Sequence, residues 1–106
     1  MGKKELKKIN ETPKIIKLDL TECKSLMEIH ERIQKTFGFP EWYGKNWDAF
    51  WDLLRTECDA DKVEIIGEHT LESKFDKYLK MIHEILNDLA NDRAKSGYLF
   101  EYEIID

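Results

Sequence analysis

The segment Trp42-Tyr43-Gly44-Lys45-Asn46-Trp47-Asp48-Ala49-Phe50-Trp51-Asp52 crowds more chemistry into one stretch than any other part of this 106-residue chain. It holds all three tryptophans of the sequence. On a helix starting at Asn46, Asp48 and Asp52 stand at i and i+4 and share a face. Trp47 and Trp51 share the same spacing and lie beside that face, while Trp42 precedes it on a loop. Ala49, Phe50, Leu53 and Leu54 already provide an apolar inward face, so the tryptophans and aspartates cannot all point inward as well. Rigid aromatics framing carboxylates on an exposed face suit a protein-binding hot spot, where excluding water strengthens the central charge contacts. The plainer reading is a helix dipole stabilised by first-turn acids, with tryptophan as core filler; it covers Asp48 alone better than it covers the cluster.

Other chemistries fit less well. A catalytic carboxylate pair must flank its substrate, whereas these two aspartates project in the same direction. Asp59-Ala60-Asp61 hints at a calcium loop but lacks the later oxygen ligands and glycine. His30, His69 and His83 are scattered, without HxxxH or HExxH spacing. Cys23 and Cys58 are far apart and read as reduced, structural thiols. A hydrolase built on the aspartate pair or on Cys23 would need a base, a nucleophile and an oxyanion donor, which the sequence does not assemble. No cofactor or metal motif is present.

The elements that must position this cluster follow from periodicity. Lys14 to Leu20 is an aliphatic, β-branched run suited to a strand. Ser25 and Glu28 have capping-box spacing, Leu26, Ile29, Ile33 and Phe37 form one stripe, and Gly38 ends it. Pro40 and Gly44 mark a loop. Asn46 caps a second helix through Glu57, and Val63 to Ile66 forms a second strand ending at Gly67. After a connection at His69 to Ser73, Phe75 to Lys95 is a long helix. Its stripe is Phe75, Leu79, Ile82, Ile85, Leu86 and Leu89. Tyr98 to Ile105 alternates as a last strand, with Phe100, Tyr102 and Ile104 against Glu101 and Glu103. Helices separate all the strands, so crossovers and parallel pairing are expected. The fold class is α/β: a small three-stranded parallel sheet packed with three to four helices. Residues 1–12 read as a basic, flexible extension and residues 13–106 as one domain.

Composition narrows the partner. Acids outnumber bases 22 to 17, a net charge of -5. Residues 1–36 carry 9 basic and 6 acidic residues, whereas residues 37–106 carry 8 and 16. The acidic part repels phosphates and attracts something basic, which argues against direct nucleic-acid binding. No run approaches the ~18–20 apolar residues of a membrane span. The N-terminus lacks the apolar core of a signal peptide, so a cytoplasmic protein is expected.

The thirteen residues Pro40 to Asp52 resemble the signature of the barstar family, intracellular inhibitors of small secreted microbial ribonucleases such as barnase. The resemblance extends over roughly residues 14–105, including the strand and helix order. It implies a non-enzymatic, barstar-like inhibitor whose signature helix plugs the enzyme's active site. The position matching Asp52 would occupy the substrate-phosphate site, and Asp48 would pair with basic groups nearby. Trp42 would pack against the catalytic histidine region, with Gly44, Asn46, Trp47 and Trp51 shaping the contact. The family's late-helix acid would correspond to Asp92, with Asn91 and Asp88 as neighbouring alternatives. The implied partner is a basic ribonuclease or related toxin domain, bound 1:1 by a monomer. An immunity or antitoxin-type domain binding a different basic protein is the alternative. Trp42 stands where the family has Tyr, Trp47 where it has a smaller apolar residue, Lys45 where it has an acid, and Glu57 where its namesake has another Trp. These departures bear on which enzyme is bound more than on how.

Overall fold

Ile15–Asp19 forms strand β1 because its β-branched and aliphatic side chains alternate cleanly: Ile16 and Leu18 turn inward, Lys17 and Asp19 outward. The structure, a computed structural model, describes residues 12–106. The expected basic extension at residues 1–12 therefore falls almost wholly outside the described residues. The Ser25 half of the capping box forms as expected, while the Glu28 carboxylate reaches back one residue further, to Lys24 N. Ser25 Oγ accepts from Glu28 N at 3.1 Å, and Glu28 Oε1 accepts from Lys24 N at 2.8 Å. Helix α1 (Leu26–Phe37) follows and stops at Gly38, whose φ of 70° is the left-handed cap a glycine tolerates.

Helix α2 (Trp47–Glu57) leads to strand β2 (Lys62–Ile66). The expected connection at His69 to Ser73 winds into two short 3-10 turns, Glu68–Thr70 and Ser73–Phe75. Helix α3 (Asp76–Lys95) then crosses to strand β3 (Glu101–Ile105). Phe75 is thus buried in the turn ahead of the long helix instead of opening it. The last strand is shorter than the alternation from Tyr98 suggested.

The sheet is parallel throughout in the order β1-β2-β3, with Leu18 level with Ile65 and Ile104. Crossovers between parallel strands are right-handed as a rule, and two of them stepping in the same direction put their helices on one face. Burial agrees: Val63 and Ile65 on central β2 are fully buried, while Lys62, Glu64 and Glu103 form an ion-pair row on the other face. Ile104 has the inward parity but stays 43% exposed on edge strand β3. Leu18, Leu20, Ile29, Ile33, Phe50, Leu54, Ile82, Leu86 and Leu89 make up the centre of the core. No helix among the described residues is long and apolar enough to cross a membrane.

Candidate functional site

The loop from Phe39 to Lys45 is pinned from beneath before it reaches the second helix. Gln34 Nε2 donates to Pro40 O at 2.7 Å, and Tyr43 N donates to Pro40 O at 3.0 Å. The Tyr43 ring lies beside Phe39 at 5.3 Å, and its hydroxyl reaches His30 Nδ1 on α1 at 2.7 Å. His30 is the one buried polar or charged residue among the described residues, and burial, with Lys45 nearby, holds its pKa below the usual histidine value. The imidazole is therefore neutral, and in the tautomer with a bare Nδ1 it accepts a hydrogen bond from the Tyr43 hydroxyl. Burial also pushes the Tyr43 hydroxyl well above the usual tyrosine range, so it stays a donor.

This anchoring decides where Trp42 goes. With Tyr43 drawn into the core at 4% exposure, its neighbour is turned outward and stands 75% exposed. The chain then takes a positive φ of 52° at Lys45 and enters the helix at Asn46. Asn46 Oδ1 accepts from Ala49 N at 2.8 Å, and its Nδ2 donates back to Gly44 O at 3.3 Å. A Cβ at Gly44 would stand 3.2 Å from that Asn46 amide and 3.3 Å from Ala49 Cβ, so a side chain here would press on the cap and the neighbours would have to give by a few tenths of an ångström.

At about 100° per residue, Phe50 and Leu54 define the inner side of α2, and Asp48 and Asp52 fall on the outer side. Both aspartates are exposed. Among the described residues neither carboxylate has an ion pair or hydrogen bond. On one flank, Trp42, Gly44, Ala49, Asp52, Leu53 and Arg55 line a shallow groove of about 430 Å³. On the other flank lie Trp47 and Trp51, both half-buried.

The two flanks differ more than the spacing suggested. Trp47 packs on the His30 ring at 4.5 Å and faces Tyr78 of α3 at 6.4 Å, so much of it is spent on the fold. The expectation of an outward-facing Trp47 holds only for its remaining open edge. Trp51 carries the Arg55 guanidinium 5.4 Å above its ring, and Arg55 Nε in turn lies 3.8 Å from Asp92 Oδ2. Asp92 is thereby brought to the edge of the same helix, tethered by Arg55. Asp88 and Asn91 are exposed on α3.

The structure thus gathers Trp42, Gly44, Asn46, Asp48 and Asp52 on one surface, sets Trp51 and Asp92 at its border, and turns Trp47 partly away. Two contributors escaped the sequence reading. His30 looks like an isolated histidine, yet it sits between Ile29 and Ile33 on the apolar stripe, which is the signal of a buried role. Arg55 lies three residues after Asp52, the helical spacing that places it at the same rim.

The rival chemistries have structural uses instead. Asp59 and Asp61 both bind Lys14, through its amine at 2.6 Å and its backbone N at 2.7 Å, and so tie down the start of β1. His83 pairs with Glu68 and His69 with Asp106. Cys23 is free and buried, and that burial raises its thiol pKa, the wrong direction for a nucleophile. Among the described residues no cluster of three His, Cys, Asp or Glu side chains could hold a metal ion.

Comparison with known proteins adds two findings. The chain matches the family model Barstar (barnase inhibitor) over residues 14–104. It is also similar to a Bacillus subtilis (strain 168) protein bearing the name "Putative ribonuclease inhibitor YrdF". The two are 24% identical over 80 residues, which cover 71% of this chain and 88% of that protein.

Proposed function

The chain belongs to the barstar family, whose members are inhibitors and not enzymes, and from that premise we propose that it blocks the active site of a small basic ribonuclease with the Asp48–Asp52 face of α2. The observation that carries this reading is the pair of exposed, unpartnered carboxylates between Trp42 on one flank and Trp47 with Trp51 on the other. A carboxylate left without an internal partner keeps its full charge for a cation on another molecule.

In this reading Asp52 takes the place of the substrate phosphate and receives charge-assisted hydrogen bonds from the enzyme's basic groups. Asp48, one turn earlier, meets a second cation at the rim. Trp42 supplies a large, rigid contact area at little entropic cost and closes the groove over Asp52 against water. The remaining acids of residues 37–106 set a field that speeds capture of a basic enzyme. The name borne by the similar B. subtilis protein points to the same class of partner.

The test is an RNA-cleavage assay in which barnase-like ribonucleases are titrated with the protein. Cleavage falling to zero near one equivalent supports the reading. Full cleavage at excess protein across such a panel overturns it, and recovery of a basic partner without nuclease activity would favour the antitoxin-type alternative.

A further inference from the structure

On the far side of Trp47 from the aspartates, α3 presents a second surface of opposite charge. Trp47, Lys77, Tyr78, Lys80, Met81 and Glu84 line an open, largely apolar groove of about 500 Å³. Residues 77, 80, 81 and 84 stand at helical spacing, so they form one face of α3. Lys77 Nζ lies 5.3 Å from the centre of the Tyr78 ring. Neither Lys77 nor Lys80 has a carboxylate partner among the described residues. The open edge of Trp47 is therefore bordered on one side by two unpaired carboxylates and on the other by two unpaired ammonium groups.

A patch of this kind is complementary to itself. If two copies meet about a two-fold axis near Trp47, Asp48 and Asp52 of each copy face Lys77 and Lys80 of the other, with the Trp47, Tyr78 and Met81 side chains in the middle. Glu84 sits at the end of the groove, where it trims the positive charge without reversing it. We propose that the free protein forms a symmetric dimer through this patch, with a second copy of the chain as the occupant of the Trp47–Tyr78–Met81 groove.

Magnitudes set the conditions under which such a dimer forms. Two molecules of net charge -5 repel each other as wholes, but at ~0.15 M salt the Debye length is about 8 Å, so repulsion between their centres is largely screened. Ion pairs at contact range are screened much less. At ~1 M salt, with a Debye length of about 3 Å, exposed pairs weaken as well. The dimer is thus strongest at intermediate ionic strength.

Dimerisation does not depend on the proposed inhibitory role. One consequence rests on that reading: the dimer covers the aspartates, so self-association and enzyme binding exclude each other, and the complex with the enzyme still contains one copy of each chain.

Sedimentation velocity of the full chain, over a concentration series at about 0.15 M and about 1 M salt, tests the proposal. The expected result is a concentration-dependent monomer–dimer equilibrium at the lower salt that shifts to monomer at the higher. Lys77→Glu with Lys80→Glu should raise the dimer Kd by at least about tenfold, and adding Asp48→Lys with Asp52→Lys should restore association. A wild-type protein that stays monomeric at every concentration, or a dimer that survives Lys77→Glu with Lys80→Glu, overturns the proposal. Because no ribonuclease is present, failure here is separate from failure in the cleavage assay.

Discussion

His30 Nδ1 and Tyr43 Oη lie 2.7 Å apart beneath the Trp47 ring, and this buried hydrogen bond joins the first helix to the loop that displays Trp42. Removing the Tyr43 hydroxyl would leave a buried His30 ring nitrogen without its hydrogen-bond partner. Tyr43→Phe should therefore lower the unfolding free energy by about 1–3 kcal/mol in chemical denaturation. A change within experimental error would mean that the bond contributes nothing net.

The same histidine gives a pH signature. His30 is neutral in the folded protein because its pKa lies below the ordinary 6.5, whereas the unfolded chain takes up a proton at its ordinary value. Below about pH 6.5 the unfolded state binds more protons, so the stability that is complete above that value falls as pH drops toward the folded pKa. The lowered carboxyl groups of Asp19, Glu28 and Asp59 lose their contribution only further down, below their ordinary 3.8 to 4.5. Denaturation curves between about pH 5 and 8 should show a shallower decline in His30→Gln than in the wild type. Equal slopes would contradict the assignment.

Asp48 and Asp52 should separate binding from folding. Asp48 is in the first turn of α2, so Asp48→Ala gives up helix-dipole stabilisation of roughly 0.3–1 kcal/mol. Asp52→Ala should change stability by no more than about 0.5 kcal/mol. Affinity for a basic ribonuclease should fall in the opposite order, with Asp52→Ala losing at least about tenfold, or 1.4 kcal/mol, and more than Asp48→Ala. Unfolding of either variant would mean that the face serves the fold.

Arg55 holds Asp92 at 3.8 Å and leans on Trp51, and both partners of the ion pair are partly solvated. Arg55→Ala should cost less than about 1 kcal/mol of stability. It also removes a positive charge from a face that must accept a basic enzyme and releases Asp92 for that enzyme. Binding should tighten a fewfold, and Asp92→Ala should matter more in the Arg55→Ala background than in the wild type. Strictly additive effects in this double-mutant cycle would show that the two residues act independently.

Much of the fold is local and was legible for that reason. Ser25 with Glu28, Gly38 and Asn46 are caps whose chemistry depends on neighbours within four residues, and all three form as their spacing implied. Parallel pairing followed from helices too long for hairpins. Legibility failed where tertiary neighbours decide. Ile104 has the inward parity yet is exposed, because nothing in the alternation reveals that β3 is an edge. Trp47 reads as one more aromatic beside the aspartates, but a histidine seventeen residues earlier and Tyr78 on another helix draw it inward. The tether from Arg55 to Asp92 spans two helices, so no periodicity within either could announce it.

The claim at the centre of this account is that Asp52 stands where a substrate phosphate would stand. It is tested most directly by measuring binding to a barnase-like ribonuclease with and without a saturating nucleoside 3′-monophosphate. The account predicts mutual exclusion: the apparent Kd of the wild-type protein rises in proportion to nucleotide concentration, and Asp52→Ala loses most of that sensitivity. A ternary complex formed with undiminished affinity, in which protein and nucleotide occupy the enzyme together, would contradict it.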